Sequence, residues 1–143
     1  MIYLLHLEES VFVSKSRGQR SQPVALAPGV QFAVNDTWVV WRSAVSDGQG
    51  GWIISLNRAK PLGGPSETFW TANAYYPGNA PTMDSENVYL GFDYAINVIP
   101  LDGSGRWTLA SDQTPVEAFA QDATHVYWLS NTLPILLQRA AKQ

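Results

Sequence analysis

Asp122-Ala123-Thr124-His125-Val126-Tyr127-Trp128 superposes without a gap on Asn35-Asp36-Thr37-Trp38-Val39-Val40-Trp41 and on Asp84-Ser85-Glu86-Asn87-Val88-Tyr89-Leu90. Each copy is an Asx residue, three mostly polar residues and an apolar triplet. That order describes a turn opening into a strand, because an Asx side chain bonds the backbone two residues on. A further triplet, Ile2-Tyr3-Leu4, sets anchors at Ile2, Val39, Val88 and Val126, spaced by 37, 49 and 38 residues. Self-similarity at such a period marks a repeated supersecondary unit.

The remainder of each period completes that unit. A second apolar run begins near Val11, Ile53, Ile96 and Ile135, at hairpin distance from each anchor. Turn signals follow at Ser16-Arg17-Gly18, Pro61-Leu62-Gly63-Gly64 and Asp102-Gly103-Ser104-Gly105, then a short strand such as Thr68-Phe69-Trp70 or Arg106-Trp107-Thr108-Leu109. A last segment, Val30 to Val34 or Val116 to Ala120, leads into the next Asx turn. Four strands per period of this length is the unit of a four-stranded β-propeller blade, near 40 to 45 residues. Nine Pro and eleven Gly leave no room for long helices, and the helix-tolerant tail Leu136 to Lys142 falls where the repeat requires a strand.

The expected fold is therefore all-β, built of four-stranded antiparallel blades in an incomplete ring, with a β-sandwich as the alternative. Residues 1–28 supply the last three strands of one blade, 29–78 and 79–115 are full blades, and 116–143 supply the first three strands of another. The longer middle period is absorbed by the loops Ser46-Asp47-Gly48-Gln49-Gly50-Gly51 and Asn73-Ala74-Tyr75-Tyr76-Pro77-Gly78. Two whole and two partial blades do not close a ring, which needs at least about four. The chain reads either as part of a longer propeller or as a homo-oligomer in which further copies complete the ring.

The unit resembles the blades of bacterial TolB-like propellers of six to eight blades. The resemblance rests on Asp122 to Leu129 followed by Leu137-Gln138-Arg139-Ala140-Ala141-Lys142, and on Asp84 to Leu90 followed by Ile99-Pro100-Leu101-Asp102-Gly103. It departs at Asn35, which stands where the other copies have Asp. The resemblance implies an exported or cell-envelope location, and it brings to mind propeller hydrolases and lyases with an active site in the ring channel.

Composition narrows the function classes. Nine Lys and Arg against twelve Asp and Glu give a formal net charge of −3, which removes the basic footprint of nucleic-acid binding. Absence of cysteine excludes disulfides, thiolate zinc sites and cysteine nucleophiles. Met1 to Leu7 is apolar but carries no basic leader or small-residue cleavage site, so it does not read as a signal peptide. No apolar run approaches the roughly 20 residues of a membrane span, and no membrane insertion is expected.

No catalytic constellation stands out. No Ser lies in Gly-x-Ser-x-Gly, the glycines at 48, 50 and 51 precede a strand, and Glu8-Glu9 point to opposite faces when extended. His6 and His125 lack partners at ligand spacing, so neither a metal nor a cofactor is expected. Asn35, Asp84 and Asp122 are assigned to structural turns, one per blade. Trp41, Trp70, Tyr89, Trp107, Tyr127 and Trp128 occupy strand positions and are assigned to the core. Tyr75 and Tyr76 fall in a Pro- and Gly-rich loop, where strand packing does not require them. In a propeller the loops after the second and fourth strands share one face, so Asp47, Tyr75, Tyr76, Asp93, Tyr94, Asp112 and Asn131 form the expected ligand-binding rim, although Asp93-Tyr94 also suits an ordinary hairpin turn. The resulting reading is a noncatalytic scaffold recognising a protein, small molecule or glycan. The competing readings are part of a propeller enzyme and a lectin-like ring formed by oligomerisation.

Overall fold

A computed structural model describes residues 31–61, 64–111, 113 and 115–142, with the strand segments Ser10–Val13 and Gln22–Ala25. The triplet Ile2-Tyr3-Leu4, the turn Ser16-Arg17-Gly18, His6, Glu8-Glu9 and Asp112 lie outside the described residues. No helix occurs among the described residues, and every strand pairing is antiparallel.

Strands β1 (Ser10–Val13) and β2 (Gln22–Ala25) form a two-stranded pair. The first sheet is a meander of β3 (Phe32–Val34), β4 (Val39–Ser46), β5 (Trp52–Ala59) and β6 (Glu67–Ala74). A second meander follows with β7 (Thr82–Met83), β8 (Asn87–Phe92), β9 (Ala95–Pro100) and β10 (Trp107–Ala110). The third sheet has β11 (Val116–Gln121), β12 (His125–Ser130) and β13 (Leu136–Ala141). The tail that tolerates helix propensity is thus a strand, held by six register pairs from His125↔Ala141 to Ser130↔Leu136. Tertiary pairing outweighs an intrinsic preference worth only tenths of a kcal/mol per residue.

Each Asx motif opens the second strand of its sheet, and period two sends the triplet to both faces. In the second sheet Val88 and Leu90 pack with Val40, Ile54 and Leu56 of the first sheet. Tyr89, with Ile96 and Val98, faces the other way and packs with Val126 and Trp128 of the third. The same rule holds on each side. Val40, the middle residue of its triplet, looks toward the following sheet, while Val39 and Trp41 form a separate cluster on the opposite face. Val126 and Trp128, the outer residues of theirs, look back toward the preceding one. Three sheets therefore stack face to face. The middle one is buried on both sides, so β8 and β9 read as nearly continuous apolar runs.

The stack is tied at both ends. Strand β7 touches both β3 and β11, so the first strands of the three sheets are neighbours. Gly78 adopts φ +71°, and a Cβ there would stand 1.8 Å from the Gly91 carbonyl oxygen, so a side chain would force the loop off the second sheet. At the far end Arg58 donates to the Leu101 carbonyl of the second sheet and pairs with Glu67 at 2.7 Å. Its guanidinium lies 4.4 Å from the centroid of Trp38, on which Lys60 also rests at 3.5 Å.

Of the six aromatics assigned to the core, Trp41, Tyr89 and Trp128 are buried, whereas Trp70, Trp107 and Tyr127 are only half-buried. Trp70 and Trp107 sit on fourth strands, at sheet edges, and Tyr127 lies on the face of the third sheet that points away from the second. Trp128→Ala should therefore destabilise by about 3 to 5 kcal/mol, the cost of emptying a large buried site. Tyr127→Ala should cost less than half of that. Urea unfolding of the two variants gives the comparison, and equal losses would contradict this face assignment.

Candidate functional site

The three Asx residues make the same turn. Asn35 Oδ1 accepts from the backbone N–H of Thr37 and of Trp38, both at 2.8 Å. Asp84 Oδ1 accepts from Glu86 at 2.9 Å and Asn87 at 2.8 Å, and Asp122 Oδ1 from Thr124 and His125, both at 2.7 Å. Each turn is closed by a 3.0 Å backbone bond from the Asx N–H to the carbonyl three residues on. His125 is the first residue of β12. It is half-buried, with Nδ1 2.8 Å from Thr124 Oγ1.

The second carboxylate oxygen has its own role. Tyr89 and Tyr127, five residues after their Asp, each donate an O–H to Oδ2 at 2.7 Å. Where the sequence has Asn35, the residue five positions on is Val40, which has no hydroxyl to donate. The amide instead uses Nδ2 as a donor to the Asp84 carbonyl at 2.7 Å, joining the first turn to the second. Lys142 joins the third sheet to the second by pairing with Asp84 Oδ2 at 3.0 Å. Asp84, Glu86, Gln121, Asp122 and Lys142 line a shallow cleft at this end. Asp84, Asp122 and Lys142 are engaged in these structural contacts, and Gln121 donates to the Met83 carbonyl while its Oε1 is buried without a hydrogen-bond partner.

These contacts set the ionisation of the turns. Burial alone would raise the Asp84 pKa, but bonds from Glu86, Tyr89, Asn87 and Lys142 together hold it below the ordinary value. Asp122 lies well below the carboxylate range, chiefly through the Thr124 N–H, then the Tyr127 hydroxyl and the His125 N–H. Tyr89 is pushed up by burial and by its bond to Asp84, and Tyr127 by its bond to Asp122.

A second cleft lies at the opposite end of the strands. It is open, about 510 Å³, and is lined by Asp47, Gln49, Gly50, Gly51, Asn73, Ala74, Tyr75 and Asp93. Asp47 folds its own loop, Oδ1 accepting from Gln49 at 2.7 Å and Gly51 at 2.9 Å. Asp93 belongs to the second sheet and reaches the first, its Oδ1 accepting from Tyr75 at 2.7 Å and Tyr76 at 2.8 Å. It can do so because Asp93 and Tyr94 turn the β8–β9 hairpin with φ of 50° and 59°. Tyr76 then stacks on Tyr94, with centroids 6.2 Å apart and planes 20° apart. From below, Arg42 donates to the Pro77 carbonyl at 2.6 Å, and burial lowers its pKa against the opposing effect of nearby Tyr76.

Five of the seven expected rim residues thus come together: Asp47, Tyr75 and Asp93 on the cleft, Tyr76 and Tyr94 in the stack beside it. Asn131 does not join them; its N–H donates to the Pro115 carbonyl at 2.9 Å within the third sheet. Gln49, Asn73 and Arg42 escape sequence reasoning. Glycines flank Gln49, Asn73 is the next-to-last residue of β6 and Arg42 interrupts an apolar run, and none of these patterns signals a place at this end of the sheets. Among the described residues no cluster of three metal-ligating side chains is found.

Asn35→Asp makes the first turn match the other two, yet it should destabilise the protein by about 1 to 2 kcal/mol, because it replaces a donor to the Asp84 carbonyl by a second acceptor. A neutral or stabilising effect in chemical denaturation would show that the amide bond carries no weight. The depressed Asp84 and Asp122 make stability complete above their unfolded-state pKa, near 3.9, and progressively lost as pH falls through their folded values. Stability should hold above about pH 5, fall steeply below pH 4, and fall less steeply in the Asp84→Asn, Asp122→Asn double variant. An unchanged acid limb in that variant would assign the titration to other groups. No protein-family model matches the sequence, and no curated protein is similar to it, so the reading of the site rests on its geometry.

Proposed function

We propose that the chain is a segment of a β-propeller whose three sheets are successive blades, and that it serves as a noncatalytic recognition scaffold. The blade reading is supported by the meander order, the face-to-face stacking and the adjacency of the first strands. The recognition reading rests on Tyr75. This large ring is 77% exposed at the lip of the cleft, yet its backbone is fixed by Asp93 from the neighbouring sheet.

An exposed aromatic on a pre-fixed loop binds with little loss of conformational freedom. Around it, Asp47 and Asp93 each engage Oδ1 in the loop, while Oδ2 has no donor among the described residues. Asn73 and Gln49 add amides that both donate and accept. The cleft suits a ligand rich in hydrogen-bond donors with an apolar face, as a glycan or a protein segment presents.

Titration with a panel of neutral oligosaccharides, followed by chemical-shift changes of the loop amides, tests this reading. At least one member should bind saturably, and Tyr75→Ala should weaken it about tenfold or more while leaving the unfolding midpoint within about 0.5 kcal/mol of the parent. Equal binding by Tyr75→Ala, or its unfolding, would remove the cleft as the recognition site.

A further inference from the structure

The exposed aromatic rings of the described residues stand at one place. Tyr75 is 77% exposed and Tyr94 52%, whereas the other described aromatics are buried or half-buried. They come from different sheets, Tyr75 from the loop after β6 and Tyr94 from the β8–β9 hairpin. Asp93 clasps them together, because it precedes Tyr94 in the chain and its Oδ1 accepts from the Tyr75 and Tyr76 amides. The stack of Tyr76 on Tyr94 then holds the second ring as the clasp holds the first.

Tyr94 also stands where the backbone does not favour it. The hairpin turns in two residues, Asp93 and Tyr94, between the register pair Phe92↔Ala95, and both have positive φ. Asp-Gly is a preferred pair for such a turn, since Asp tolerates the left-handed region and Gly is free in it. This chain has Tyr at the second position, although the described residues with positive φ are otherwise Asp93 and glycines. Anchoring of the turn does not need the Tyr94 side chain. Asp93 makes the clasp, and the Tyr94 carbonyl accepts from the Gln113 N–H at 2.6 Å. Residues held in left-handed backbone cluster at ligand clamps.

Taking the Tyr75 cleft as the recognition site, a reading on which this rests, we infer that Tyr94 is its second ligand-contacting aromatic and that the ligand is an oligosaccharide with one sugar unit against each ring. Tyrosine offers a large amphipathic face at low cost in conformational freedom. Asp47, Gln49, Asn73 and Asp93 line the cleft beside Tyr75 and meet the hydroxyls of a sugar. A sugar chain suits this lining better than a protein segment, because the cleft is open and polar and does not close into the pocket that an anchoring side chain fills. A single sugar covers one ring, so Tyr94 adds affinity only for chains of two or more units.

Chemical-shift titration of the full chain with two neutral series, glucose to cellotetraose and glucose to maltotetraose, tests this. In at least one series affinity should rise about tenfold or more from the single sugar to the trisaccharide. Tyr94→Gly should cancel that rise and leave the affinity for glucose unchanged, while Tyr94→Phe retains it. The urea midpoint of Tyr94→Gly should stay at that of the parent, since Gly adopts the left-handed backbone freely as the stack is lost. A rise that survives Tyr94→Gly overturns the inference, and the Tyr75 reading still stands if Tyr75→Ala weakens every length. An equal loss at every length in Tyr94→Gly, with a lowered urea midpoint, makes Tyr94 a structural residue and overturns it too. Absence of binding in both series overturns it and leaves the cleft to a protein segment.

Discussion

A single side-chain oxygen accepting two backbone N–H groups at the mouth of each second strand sets the facing of the whole sheet. A tight turn leaves those donors pointing inward with no strand partner, and Asn35, Asp84 and Asp122 satisfy them. Fixing that turn fixes which residue of the triplet faces which way. A slip of one position would exchange Tyr89 for Val88 and Leu90 and present each neighbouring sheet with the wrong set of side chains. The turns are thus the local device on which the face-to-face stacking depends.

Stacking then makes the sheets interdependent. The second sheet buries both faces, and its loops and turns hold its neighbours: Asp93 receives the Tyr75 and Tyr76 amides, Asp84 receives Asn35 and Lys142. One end of the strands is closed by polar contacts between turns, in which Asp84 and Asp122 use both carboxylate oxygens. At the other end Asp47 and Asp93 engage one oxygen each and leave the second facing an open cleft beside Tyr75.

Variation among the turns obeys the same physics. Asp tolerates a Tyr five residues on because the hydroxyl donates to its free oxygen. Asn stands where that position is Val, and turns its amide nitrogen outward to a carbonyl of the next sheet. The exchange of Asp for Asn, which reads as degeneracy in the sequence, is matched to its partner in the structure.

The antiparallel strands, their hairpins and the Asx turns are legible from the amino-acid order, because period-two patterning and turn chemistry act over a few residues. Repetition also identifies the tail as a strand against its helix-tolerant composition. Proximity of Asp47, Tyr75 and Asp93 is legible only as membership of a shared rim, and Asn131, whose sequence position reads the same way, does not line their cleft. Which rim residues meet depends on how one sheet's hairpin reaches its neighbour, and the left-handed turn at Asp93 and Tyr94 has no sequence signal as strong as Asn-Gly. The half-burial of Trp70, Trp107 and Tyr127 was likewise decided by tertiary structure. Burial is a property of what packs against a residue, and alternation along a strand gives its face without saying what covers that face.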